Sequence, residues 1–266
     1  MLTLAIGDLF IPERSIDLPT KFKKLLAPNP NSIPSNNKIS RVVCLGNILN
    51  SQESLKFLHN LSPQFNLVKG EYDNSTILSQ QLSILSHNKE EIIPYCNVFT
   101  HDNLRIGYTN GYQIVPKGDP LALSAFSREL DVDILIWGGS HRVEAYTLDG
   151  KFFVNPGSAT GAITFDWPDN EAYEEEEEAN KETEMKEDKP DEKKEEKETE
   201  QGIEDQTESK QESSKINKEI LSEVTELNSN IPSFCLLDIQ GSTCILYIYT
   251  YLNGEVKVDK VTYTRD

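Results

Sequence analysis

Five short loops carry the residues that could do chemistry: "GDLF" (7–10), "GNILN" (46–50), "GEYDN" (70–74), "TNGY" (109–112) and "GGSH" (138–141). Each follows an apolar run and holds a glycine beside a polar residue. Carboxylates, amides and imidazoles converging from several loops are what two bridged divalent cations require for metal-assisted hydrolysis. Asp8, Glu71 and His141 are ligand types, and Asn47 and Asn110 are weak ones. Phe10 stands two residues after Asp8, where a second ligand is expected, and cannot bind a metal; Gly139 has no side chain at all. Affinity follows ligand number and charge. The set predicts a vestigial pocket without a tight dinuclear centre, catalytic residues or cofactor.

The elements that must position these loops are read from periodicity. "LTLAI" (2–6), "RVVCLG" (41–46), "FNLVKG" (65–70) and "VDILIWGG" (132–139) are buried strands. "LPTKFKKLL" (18–26), "SQESLKFLHNL" (51–61) and "PLALSAFSREL" (120–130) have helical spacing. In the first, Phe22, Leu25 and Leu26 share a face. Ser51 is placed to cap the second. Hairpins are predicted over 97–111, turning at Asp102-Asn103, and over 143–157, turning at Asp149-Gly150. Strands alternating with helices, with the site on loops at strand ends, describe an α/β protein.

The formal net charge is −18, but residues 166–226 alone hold 25 acidic and 9 basic side chains. The flanks are therefore close to neutral, and no basic patch argues for nucleic acid. Residues 166–230 have too few apolar side chains to offset their ordering entropy and are predicted to be a disordered acidic insertion. "SFCLLDIQ", "TCILYIYTYL" and "EVKVDKVTYT" then return as three strands. They are too few to fold alone, so 1–165 and 231–266 are predicted to share one core. Cys44, Cys96, Cys235 and Cys244 lack zinc or redox spacing and read as reduced thiols of the cytoplasm. No signal peptide or membrane-spanning run is visible.

The five loops, in this order and spacing, resemble the metallophosphoesterase superfamily, whose loops run G-D-x-H, G-D, G-N-H, a lone His before Gly, and G-H-x-H. The resemblance implies an αββα sandwich of two mixed sheets flanked by helices. It also implies that histidine ligands are lost at 10, 110 and 139, and the bridging aspartate at 47. "NGYQIVPKGD", "LDVDILIWGGSHRVEAY", "KFFVNPGSATGA" and "IPSFCLLDIQGSTCILYIY" are more closely similar to the phosphoesterase-like subunit of retromer. Retromer is the coat that retrieves cargo from endosomes in retrograde transport. That resemblance covers about 1–164 and 231–266 and implies a form with an acidic insertion. It implies a scaffold rather than an enzyme, cytoplasmic and held on endosomes by its partners; the alternative is an active metal-dependent phosphoesterase. It further implies that Ile114, Val115 and Pro116 dock into the C-terminal helical solenoid of the large retromer subunit. The arrestin-like subunit and sorting nexins belong to the same coat. Leu2, Leu236, Tyr247, Tyr249, Val256 and Val258 match a second apolar surface for accessory regulators, among them Rab regulators.

Overall fold

The computed structural model describes residues 1–49, 51–86, 92–162 and 231–265. They belong to one compact unit, Met1–Thr164 with Ile220–Asp266. The acidic segment predicted over 166–230 lies outside the described residues.

The apolar runs pair into two sheets. One holds β1 (Leu2–Ile6), β2 (Arg41–Cys44), β3 (Gln64–Leu67), β9 (Ser233–Gln240), β10 (Thr243–Leu252) and β11 (Glu255–Thr264), in the order β11-β10-β9-β1-β2-β3. The other holds β4 (Cys96–His101), β5 (Leu104–Thr109), β6 (Ile134–Ile136), β7 (Val143–Leu148) and β8 (Lys151–Pro156), in the order β4-β5-β6-β8-β7. Both are mixed. β1, β2 and β3 run parallel, while β9 joins β1 antiparallel, Leu4 facing Leu236. β5, β6 and β8 are parallel, with β4 and β7 added antiparallel. The three C-terminal strands thus complete the first sheet.

Alternation along each strand divides the core. Ala5, Val43, Leu237, Leu246 and Ile248 meet Leu104, Ile106, Ile134, Phe152 and Val154 between the sheets. Leu4, Ile6, Val42 and Cys44 face the other way. They pack beneath α1 (Thr20–Leu26), α2 (Gln52–Leu61) and α3 (Ser75–Ser86) through Phe22, Leu26, Leu55, Leu58 and Leu78. On the far side, Leu123 of α4 (Pro120–Glu129) covers Leu135, Trp137 and Phe153. The layers are therefore αββα.

Caps begin two helices where the sequence places polar residues: Ser51 Oγ accepts from the Ser54 N–H, and an Asp119 oxygen from the Ala122 N–H. Two details differ from the sequence reading. Leu25 is half exposed, because the short α1 turns only Phe22 and Leu26 inward. α3 is an additional helix, opened by Asn74, whose Oδ1 accepts from the N–H groups of Thr76 and Ile77. Among the described residues, no helix is long and apolar enough to cross a membrane.

Candidate functional site

Parallel β1, β2 and β3 end at the same rim of the sandwich as β5 and β6, so all five loops gather there. The rim is tightly wound. Asp8, Phe10, Asn47, Leu49 and His141 all have left-handed backbone, with φ between 47° and 62°. Such angles cost non-glycine residues energy and persist only where neighbours hold them. The Asp8 and Phe10 N–H groups bond the carbonyls of Gly46 and Asn47 at 3.2 and 2.8 Å. From below, Ser158 Oγ donates to the Asp8 carbonyl and Thr160 Oγ1 to that of Leu9, each at 2.6 Å. The run "NPGSATGA", one of the stretches carrying the resemblance, is thus the brace of the first loop.

Asp8 is fully buried at the centre. Its Oδ1 accepts from the side-chain amides of Asn47 at 2.6 Å and Asn110 at 3.2 Å, and its Oδ2 from the Gly139 N–H at 2.8 Å. Burial raises its pKa; the nearby His141 and these three donors pull the other way. Asn47 continues outward, its Oδ1 accepting from the Tyr72 N–H at 3.1 Å. Phe10 does not fill a void passively. Its ring meets His141 edge-on at 5.1 Å and Tyr72 at 5.7 Å, so the three rings form one cluster.

Glu71 turns away from Asp8 and pairs with Lys117, Nζ to Oε2 3.3 Å. A Cβ on Gly139 would lie 3.2 Å from the Lys117 Cε, so the lysine stem occupies the space a side chain at 139 would take. The structure therefore brings Asp8, Asn47, Asn110, Gly139 and His141 together but leaves Glu71 at the edge. Two metal ions do not fit this arrangement. The groups facing Asp8 are N–H donors, which repel a cation. The Asn110 Oδ1 is a buried acceptor with no hydrogen-bond partner, but it offers one neutral oxygen. Among the described residues, no three His, Cys, Asp or Glu side chains are grouped to hold a metal.

Sequence reasoning missed Asp73. Its buried carboxylate accepts from the backbone N–H groups of Asn47 (2.7 Å), Leu49 (2.9 Å) and Gly70 (3.0 Å), and so stitches the second loop to the third. Burial pushes its pKa up against those bonds. Its place five residues before Leu78, the first of a run with Leu82 and Leu85 on one face, was the available signal. Lys117 was missed too.

The predicted docking residues divide. Val115 is 84% exposed and Pro116 is exposed beside it. Ile114 corrects the expectation: it is buried in the cluster with Trp137 and Leu123, because the loop turns alternate side chains inward. On the other surface, register puts all six predicted residues on one face. Leu236 lies opposite Tyr247, Tyr249 opposite Val258, Tyr251 opposite Val256, and Leu2 opposite Asp238, two residues from Leu236. α1 reaches this face, its Phe22 ring 5.9 Å from that of Tyr251, and Leu2, Leu236, Tyr249 and Val256 are partly buried against the same cluster. Tyr249 stacks on Phe234 at 4.7 Å, and Val258 is half exposed.

Two mixed sheets with their strand-end loops closing on an aspartate define a calcineurin-like phosphoesterase domain. That superfamily's domain description matches residues 28–170. Over their full lengths, the chain is 45% identical to Vacuolar protein sorting-associated protein 29 of Saccharomyces cerevisiae. The crystal structure of Chaetomium thermophilum Vps29 matches with a TM-score of 0.66 at 33% identity, all of both chains being covered. Wild-type Vps29 of Entamoeba histolytica, complexed with Zn2+, matches with a TM-score of 0.62 at 27% identity over 98% of this chain and 99% of that one. The chain belongs to the Vps29 family of calcineurin-like phosphoesterase folds.

Proposed function

We propose that this chain is a non-catalytic scaffold subunit of retromer in vacuolar protein sorting. Its strand-end rim docks on the C-terminal helical solenoid of the large subunit. Kinship with Vps29 supports the assignment. The observation that carries the docking face is Val115, 84% exposed on a loop propped from beneath by the buried Ile114. An apolar side chain held out on a rigid base suits an interface anchor. The neighbouring pocket supports the non-catalytic half: the Asn47, Asn110 and Gly139 N–H groups already occupy the Asp8 carboxylate.

Leu2, Leu236, Tyr247, Tyr249, Val256 and Val258 form a separate surface for accessory regulators, Rab regulators among them. The protein works in the cytoplasm and reaches endosomal membranes through its partners, in the coat that also contains the arrestin-like subunit and sorting nexins.

The test is titration of the large subunit with the wild-type chain and with Val115→Asp. The variant should bind at least about 100-fold more weakly, as loss of a central anchor does, with unchanged thermal unfolding. Undiminished binding by a folded variant overturns the docking face. Phosphate release with Mn2+ or Zn2+ above that of Asp8→Ala overturns the non-catalytic reading.

A further inference from the structure

One valine and one proline cover little of the roughly 800 Å² that each partner of a stable complex contributes. The rim extends beyond them in a continuous path. From Val115 the loop leads back to Tyr112, whose ring lies 6.4 Å from that of Tyr95. Tyr95 is 55% exposed, and the Lys69 ammonium sits over its ring at 5.3 Å. Two bonds fix this stretch to the rim: Thr109 Oγ1 donates to the Tyr95 carbonyl at 3.0 Å, and the Lys69 N–H to that of Pro94 at 2.9 Å. Beyond Tyr95 lies a hollow of about 350 Å³ between the start of α3 and the segment leading into β4. Lys69, Thr76, Ser79, Ile92 and Tyr95 line it, and Ile92 is 96% exposed.

Such a side chain on a wall already tied to the docking loop is the second apolar anchor point that the Val115 tip lacks. Lys69 adds a positive charge to the same wall, its ammonium over the Tyr95 ring. We infer that the hollow beside Ile92 and Tyr95 is a second socket of the docking face. It receives an apolar side chain from a helix of the same solenoid partner, with a carboxylate of that helix beside Lys69. The inference rests on the docking reading above and specifies how far the face extends.

The experiment is calorimetric titration of the full-length large subunit with the full chain carrying Ile92→Asp, Lys69→Glu or Val115→Asp, at low and moderate salt. Ile92 and Lys69 hold up no core, so thermal unfolding of these two variants should match wild type. Ile92→Asp should weaken binding at least about tenfold, as truncation of an interface anchor does. Lys69→Glu should weaken it and flatten its salt dependence. Loss of binding with Val115→Asp, but wild-type affinity with Ile92→Asp and Lys69→Glu, overturns the second socket and leaves the docking face standing. Wild-type affinity in all three overturns both.

Discussion

Asp73→Asn tests what holds the rim together. In the wild type, Oδ2 accepts from Asn47 and Gly70 and Oδ1 from Leu49. An asparagine has one oxygen. Its less damaging orientation keeps the Oδ2 pair and turns the NH2 against the Leu49 N–H. The loss is then one hydrogen bond to a charged acceptor, about 1.5–3 kcal/mol, with a buried N–H left unpartnered at about 1–3 kcal/mol more. Removal of a desolvated carboxylate offsets part of this, since burial is what raises the Asp73 pKa. A net cost of roughly 2–3 kcal/mol corresponds to a Tm lowered by about 4–12 °C in a domain of this size.

Circular dichroism melts across pH give a second reading with a definite sign. The native carboxyl binds its proton at higher pH than the unfolded one, whose pKa is about 3.9. Wild-type stability from this group is therefore greatest below about pH 4 and falls as pH rises through the native value. The variant has no such group, so its deficit should narrow over that window and level off above it. Asp8 titrates in both proteins and cancels in the comparison. A Tm within about 1 °C of wild type, well under the shift of one kcal/mol, refutes the stitching role. A deficit that widens with pH refutes the balance of burial over hydrogen bonding.

Two further substitutions probe the brace and the pocket. Gly157→Ala puts a Cβ 2.4 Å from Ser233 Oγ and 2.9 Å from Val143 Cγ2, at φ +71°. It should cost roughly 2–4 kcal/mol of strain and overpacking, read from the urea midpoint, and an unchanged midpoint contradicts the brace. Phe10→His restores one ligand type but leaves the Asn47 and Asn110 amides aimed at Asp8. Its Tm should not respond to added Zn2+, and a zinc-dependent rise would show that the amides yield to a cation.

The framework was legible because its signals are local. Strands ending in glycine, helices with three- and four-residue spacing and hairpin turns each declare themselves, and parallel pairing then forces the loops to one rim. What escaped depends on direction. "QIVP" has no period, so nothing in it distinguishes Ile114, buried against Trp137, from Val115, held out in solvent. Asp73 reads as one more loop carboxylate until folding brings the Asn47, Leu49 and Gly70 N–H groups to it. α3 carried a usable spacing at Leu78, Leu82 and Leu85 but was diluted by serine and glutamine.

Asp8 shows why a count of lost ligands misreads the pocket. Position by position, Asn47, Asn110 and Gly139 look like independent failures to hold a metal. In the fold they are one substitution set. A carboxylate that is fully buried needs compensating donors or it takes up a proton. Asn47 and Asn110 each supply an amide N–H, and Gly139, held at φ +85°, supplies a backbone N–H. The residues that offer a cation least are thus the ones that donate to Asp8. Asp8 in turn ties the first, second, fourth and fifth loops to one point, and Asp73 ties in the third. A rim held this way by hydrogen bonds does not depend on a bound cation for its shape, as the proposed docking role requires.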